Sequence, residues 1–480
     1  MKTVNWSIFS IIVIIFLAGG CKKDSFNRDG ALTFSEDTVL FDTVFTTIGS
    51  ATRQFKIYNR HQEQITISSI MLAGGLQSKY RMNLDGVAGV AFSNITIPPK
   101  DSLFVFVDVT LDPNNLSQPA IVTDSILFNT NGIIQDVDLA AFGWDADFIY
   151  PTVFDNPIGP YTFLDCNITW TSAEPHVIYG WAVVPDGCTL TIEAGTNVYS
   201  HKSSGIIVDE GGTLIVNGTS LNPVTFSSDR LDEFYEDQAG EWDRIRLLNG
   251  SKNNVINGAI IKNGNVGIEV DTVSPGSPNP TLTISNTIIE NMAGASLLSL
   301  AGTVDAKNCV FGNAGQYSVA LINGGTHNFY HCTIGNYWVN GNRQTPALQI
   351  TNWLETSTTY YLKDLNSYFG NCIIYGNNQT EIGLDEDPSA AFNFEFDHCL
   401  IRVNTDDVDV SDLAEFHDII YIDPEFVKPT EQNFALDTLS PAMNAGDISI
   451  TNDAGIFDDV IGNFRPFGSG PDLGAYERQE

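Results

Sequence analysis

The chain has 480 residues, of which 43% are apolar and only 17% charged, enough to build a core over most of its length and to exclude general disorder. Its 58 acidic against 23 basic side chains leave a formal net charge of −35. That excess excludes nucleic acid as a partner and works against polyanionic glycans.

In chain order, Lys2 precedes an apolar run from Ile8 to Leu17, broken only by Ser10, and small residues lead from there to Cys21. The run is too short to cross a bilayer as a helix, so residues 1–20 read as a secretory signal. Leu17-Ala18-Gly19-Gly20-Cys21 resembles a bacterial lipobox. The resemblance implies acylation of Cys21 as the mature N-terminus, and hence a membrane partner through a lipid anchor. The address it implies is the cell envelope, at the outer membrane or cell surface of a Gram-negative bacterium. Residues 21–30 are polar and read as a tether.

Residues 31–150 carry short alternating segments such as Phe55-Lys56-Ile57-Tyr58, Ile65-Thr66-Ile67 and Leu103-Phe104-Val105-Phe106-Val107 between turn residues. Period-two alternation at this spacing predicts a β-sandwich. Phe41-Asp42-Thr43-Val44-Phe45, with Phe55 to Asn59 and Ile97-Pro98-Pro99, resembles Hydin-type immunoglobulin-like domains, which implies a spacer or docking module. Pro151 to Pro160 reads as the junction with the second domain.

From 151 to 420 a short phrase returns: Ser285-Asn286-Thr287-Ile288-Ile289, Lys307-Asn308-Cys309-Val310-Phe311, Tyr330-His331-Cys332-Thr333-Ile334, Gly370-Asn371-Cys372-Ile373-Ile374 and Asp397-His398-Cys399-Leu400-Ile401. Thr287, Cys309, Cys332, Cys372 and Cys399 share one slot, and Ile289, Phe311, Ile334, Ile374 and Ile401 the slot two residues on. Such strands cannot bury an apolar face alone, so the copies must stack in register at roughly 4.8 Å. The Asn closing most copies (Asn263, Asn291, Asn313, Asn336, Asn377) suits a turn where amides bond up the column. The pattern predicts a parallel β-solenoid.

Val183-Val184-Pro185-Asp186-Gly187-Cys188-Thr189-Leu190-Thr191-Ile192-Glu193-Ala194-Gly195-Thr196 and Gly212-Thr213-Leu214-Ile215-Val216-Asn217-Gly218-Thr219 resemble the opening coils of right-handed parallel β-helices of the pectin-lyase-like superfamily. Ser440-Pro441-Ala442-Met443-Asn444, Gly462-Asn463-Phe464-Arg465-Pro466 and Pro471-Asp472-Leu473-Gly474-Ala475-Tyr476-Glu477 resemble the module that closes such helices, placed at 421–480. The expected fold class is all-β: an immunoglobulin-like sandwich followed by a right-handed parallel β-helix. This scaffold carries lyases, hydrolases, adhesins and plain binding surfaces, so the resemblance implies a shape and leaves the chemistry open.

With Cys21 acylated, the four cysteines of the repeated slot read as small buried hydrophobes, and Cys166 and Cys188, one coil apart, as a further stacked pair. No Cys-x-x-Cys occurs, and no metal ligand set is assigned. Calcium is a possible ion only at the loop from Ser227 to Asp243, with Asp229, Asp232, Glu233, Glu236, Asp237 and Glu241, or at Asp447, Asp453, Asp458, Asp459 and Asp472. A solvated loop and a hydrogen-bonded cap are the expected roles. Asp305 and Glu290 have no carboxylate beside them in their columns, and His327, His331 and His398 read as turn or ladder residues at strand edges without an acid partner. No catalytic residue is assigned. The candidate ligand-binding residues are Trp338, Trp353, Tyr360 and Tyr361, in the long excursion between Gly335 and Gly370, where aromatic faces can stack on sugar rings. Asp37-Thr38-Val39, Asp42-Thr43-Val44, Asp101-Ser102-Leu103, Asp124-Ser125-Ile126, Asp271-Thr272-Val273 and Asp437-Thr438-Leu439 resemble a bacterial O-glycosylation sequon. The expected function is a lipid-anchored surface that binds glycan or a surface partner, with a polysaccharide lyase or glycoside hydrolase as the alternative.

Overall fold

The computed structural model describes residues 31–113, 120–271 and 281–479, so the signal, Cys21 and the tether lie outside the described residues. Two compact units divide between Asp145 and Ala146. No helix among the described residues is long and apolar enough to cross a membrane.

The first unit is a two-sheet sandwich. One sheet orders Thr33–Phe34, Arg53–Tyr58, Ser102–Val109, Tyr80–Leu84 and Val87–Gly89; the other Thr38–Phe45, Ile133–Trp144, Ala120–Thr130, Ile65–Leu72 and Ala91–Ile97. All neighbours are antiparallel except Thr38–Phe45 beside Ile133–Trp144. Alternation produces the core directly: Val105, Val107 and Val109 point inward from one strand and meet Phe55, Ile126 and Phe128.

The second unit is a parallel β-helix of three sheets, ten, nine and ten strands among the described residues. Its first strand is Asp147–Ile149, so the coils begin inside the segment assigned to the sandwich rather than at 151. Each coil supplies one strand per sheet, and identical slots stack. In one sheet Val198, Phe226, Ile261, Ile289, Phe311, Ile334, Ile374 and Ile401 form an unbroken inward column. In the second, Ile206, Ile245, Ile268, Leu297, Val319, Leu348 and Ile382 do so. In the third the column ends in a stack of Phe329, Phe369, Phe396 and Phe416, with ring centroids 5.0, 4.8 and 5.4 Å apart.

Cys309, Cys332, Cys372 and Cys399 are free thiols fully buried beside these columns. Cys166 and Cys188 behave differently. They form a disulfide, with Cα atoms 4.9 Å apart, at the outer turn of the first coils. Stacked turns bring Cα atoms of adjacent coils within disulfide range.

Between the third sheet and the first, the chain turns on a single left-handed residue: Gly258, Asn286, Asn308, His331, Asn371 and His398 have φ between 49° and 64°. Asn tolerates this backbone, and its amide then ties coil to coil. Asn308 Nδ2 donates to Asn286 Oδ1 at 2.8 Å, and Asn286 Nδ2 to Asn257 Oδ1 at 2.8 Å. The amide ladder thus runs mainly through the opening slot of each repeat. The closing slot keeps one rung, Asn291 Nδ2 to Asn263 Oδ1 at 2.8 Å; Asn313 instead bonds Pro429 O.

The last segment folds back along the outside of the first sheet. Phe426, Phe434, Leu436 and Leu473 cover Val310, Ile373 and Leu400. Gly312 and Gly335 lack side chains where the Phe434 ring lies: a Cβ would stand 2.8 and 2.3 Å from it. Asp447 caps the helix Ile448–Ala454, and Asp459 and Asp472 accept backbone N–H groups around the buried Arg465–Glu477 pair. These acids are occupied in holding the segment together.

Candidate functional site: the outer face of the second sheet

The strands Ile245–Leu247, Val266–Val270, Leu348–Thr351 and Ile382–Asp385 belong to the second sheet, whose outward side chains form two polar regions.

The first region is an open depression of about 450 Å³, lined chiefly by Asn342, Gln344, Gln349, Asn378, Gln379 and Thr380. It exists because two turns are stapled from beneath. Arg343 and Glu381, both buried, meet in a bidentate pair at 2.6 and 2.8 Å. The remaining capacity of Glu381 is taken by the N–H groups of Ala347 and Asn378, each at 2.7 Å, while Arg343 Nη2 also donates to Asn336 O. A paired, fully bonded charge holds loop geometry without placing net charge in the groove. What remains exposed is a set of amides, each offering donors and acceptors.

The excursion between Gly335 and Gly370 is two insertions on either side of Leu348–Thr351, and its aromatics do not form one platform. Trp338 lies half-buried on the first insertion, near the glycines Gly315 and Gly341. The second is a hairpin, Trp353–Glu355 with Tyr360–Leu362. Trp353 stacks on Tyr360 at 5.9 Å and 11°, and Tyr360 donates to Asp387 at 2.6 Å. Tyr361 pairs with Leu354 and so takes the other face of the hairpin. Tyr360 and Tyr361 are 50% and 46% exposed, leaving ring surface open to solvent. Tyr337 and Phe369 serve packing, against Phe426 and Phe434 and within the phenylalanine stack.

The second region is ionic and was missed in the sequence because its members come from two coils of unequal loop length. Register places Arg246 beside Glu269. Glu269, nearly buried, contacts Arg244 and lies 3.1 Å from Arg246 Nε; Arg246 reaches Asp271 at 3.4 Å, and Arg244 binds Asp243 at 2.7 Å. Burial pushes the Asp271 carboxyl up to about 6; Arg246 opposes that rise and the Glu269 carboxylate adds to it. The signal available was the one-coil offset between Arg246 and Glu269, the same test that leaves Asp305 between Thr283 and Asn328.

The acidic loop is less uniform than a solvated turn. Glu233, Glu236 and Asp237 are exposed, but the Asp229 side chain is buried and accepts from His201 at 2.8 Å. Burial raises the Asp229 carboxyl, and the His201 and Tyr179 bonds oppose that. At three of the sequon-like sites, the N–H of Ser102, Ser125 and Thr438 bonds the preceding Asp.

The histidines divide. His327 lies inside the coil between Ser299 and Ser367, at 3.1 Å from each, and burial holds it neutral with its pKa lowered to about 3. His331 takes a ladder position with Asn371 at 3.0 Å. His398 contradicts the expectation of no acid partner: its Nδ1 lies 2.7 Å from Oδ1 of Asp397, the residue before it, and Asp418 of the next coil faces its other nitrogen.

A family model described as a pectate-lyase-like β-helix domain matches residues 162–267. No curated protein matches the chain. Among solved structures, the catalytic unit of a GH87 α-1,3-glucanase from Streptomyces thermodiastaticus strain HF3-3 is 10% identical, over 72% of this chain and 62% of that one, with a TM-score of 0.23. A family 123 glycoside hydrolase from Clostridium perfringens is 7% identical over 25% of this chain and 30% of its own, and an ASH/PapD-like domain of human CEP192 is 6% identical over 27% and 97%, each with a TM-score of 0.18. The chain therefore spans less than two thirds of both hydrolases. The similarity that the family model gives this chain is to a pectate-lyase-like β-helix, over residues 162–267.

Proposed function

We propose that this protein is a lipid-anchored envelope protein that presents its β-helix as a binding surface for neutral glycan, with an immunoglobulin-like module between anchor and helix. One observation carries the reading: the depression lined by amides and stapled by Arg343–Glu381. Rigid amides match the mixed donors and acceptors of sugar hydroxyls, and a chain this acidic repels polyanions. Trp353 and Tyr360 add a ring face of the kind that stacks on sugars. Binding of neutral oligosaccharides to the soluble chain, measured by calorimetry, should fall about tenfold or more in a Gln349→Ala, Asn342→Ala variant. Equal binding by both proteins defeats the reading. Loss of membrane association in Cys21→Ser tests the anchor separately.

The enzymatic alternative is favoured by one arrangement, the Asp271 carboxyl beside Glu269. A carboxyl raised to about 6 beside a second carboxyl is suited to general acid work on a glycosidic bond in mildly acidic solution. New reducing ends from a polysaccharide panel, absent with Asp271→Asn, support this reading over binding alone.

A further inference from the structure

The last two coils end in a pair of mirrored dipeptides. Asp397-His398 closes one strand of the third sheet and His417-Asp418 the next, with Asp397 in register with His417. Asp418 has φ 51° and continues the left-handed column directly after His398. Stacking therefore gathers four side chains from two short stretches, in the column that carries Asn in the coils below.

Their hydrogen bonds define the proton positions. Nδ1 of His398 and Nδ1 of His417 both lie 2.7 Å from Asp397 Oδ1. A carboxylate only accepts, so both Nδ1 atoms carry hydrogen. Tyr368 donates to the other oxygen, Asp397 Oδ2, at 3.1 Å and fixes that carboxylate. Each neutral imidazole then has its lone pair on Nε2. Those two Nε2 atoms lie 3.5 and 3.4 Å from Asp418 Oδ2, another acceptor. Lone pairs facing one another at this distance are relieved by a metal ion held between them or by protons on Nε2.

We propose that His398 Nε2, His417 Nε2 and Asp418 bind a divalent transition metal of the zinc type. Two ligands about 2.1 Å from a tetrahedral zinc stand about 3.4 Å apart, which the two Nε2–Oδ2 separations match, and Asp397, His398 and His417 each bring a ligand atom within 4.8 Å of the others. Asp397 takes the outer position, a carboxylate that orients both imidazoles through Nδ1–H and makes them better donors. Two neutral imidazoles and two carboxylates leave two negative charges for one divalent ion. Imidazole ligands select zinc, nickel or cobalt over calcium and magnesium. Asp418 and His417 are more than half exposed, so the ion has an open path and a free position for solvent.

The test uses the soluble chain stripped of metal with a chelator and titrated with zinc or cobalt by calorimetry and visible absorption. One equivalent should bind, cobalt should give the intense visible bands of a tetrahedral site, and thermal unfolding should shift upward with zinc. His417→Ala, at an exposed strand end, should abolish all three while leaving the metal-free melting temperature unchanged. Asp397→Asn should weaken binding about 10-fold to 100-fold. Absence of binding overturns the site in favour of doubly protonated histidines. Equal zinc affinity in wild type and His417→Ala, or calcium competing equally, overturns it as well.

Discussion

Asn308 donates its side-chain amide both to Asn286 Oδ1 one coil below, at 2.8 Å, and to Asp458 O in the returning C-terminal segment, at 3.1 Å, from a left-handed backbone. One residue thereby ties a coil to its neighbour and to the segment that covers the sheet. Asn308→Ala should cost about 2–4 kcal/mol, from two lost buried hydrogen bonds and the left-handed backbone. Asn308→Gly relieves the backbone and should cost about 1 kcal/mol less. Urea unfolding of the pair of variants separates the two contributions; equal losses would show that the turn conformation carries no energy.

Arg343 and Glu381 form the buried staple beneath the amide groove. Removing one partner leaves the other charged and buried, so Arg343→Met should destabilise by about 3–5 kcal/mol or release the loop locally. Arg343→Lys retains the charge but not the two-pronged geometry, and should restore only part of the loss. Hydrogen exchange should rise at 337–347 and 377–381 first. Uniform change along the chain would contradict a local staple.

Burial pushes Glu290 up to about 7 from 4.5; Lys262 opposes the rise and Asp237 adds to it. The folded state therefore holds a proton that the unfolded chain releases. Stability from this group is full below about pH 4.5 and declines as pH rises to about 7. Glu290→Gln should match wild type near pH 4.5 and exceed it by about 1–3 kcal/mol at pH 8. Thermal melts across that range test the sign, which reverses if Glu290 is ionised throughout.

The Cys166–Cys188 disulfide closes a loop of one coil at the start of the helix. Replacing both residues by Ala should cost about 2–4 kcal/mol through a less restrained unfolded chain. Under denaturing conditions without reductant, Cys309, Cys332, Cys372 and Cys399 should react with a thiol reagent while Cys166 and Cys188 do not. Reaction of the latter two would disprove the bond.

The stacked columns were legible because they depend on side-chain period and coil length, both local properties of the chain. Ile289, Phe311, Ile334, Ile374 and Ile401 alternate with polar neighbours and recur once per coil, so no partner from elsewhere is needed to predict where they point. The Asp305 column was readable for the same reason. The amide ladder was placed in the closing slot because Asn recurs there; Asn263, Asn291 and Asn313 are indeed left-handed, but most rungs join opening-slot residues such as Asn286 and Asn308, a choice of partner that residue type alone does not reveal.

What the tertiary structure decided depends on unequal loops and on chain return. Arg246 meets Glu269, and Asp397-His398 meets His417-Asp418, only once the coil offsets are known. Arg343 finds Glu381 across two turns, and Phe434 finds the gap left by Gly312 and Gly335. Local sequence determined the repeating core, because burial of one strand face needs only periodicity. The charged and metal-ligating groups were decided by three-dimensional register, because electrostatic pairing acts across distances that sequence order does not preserve.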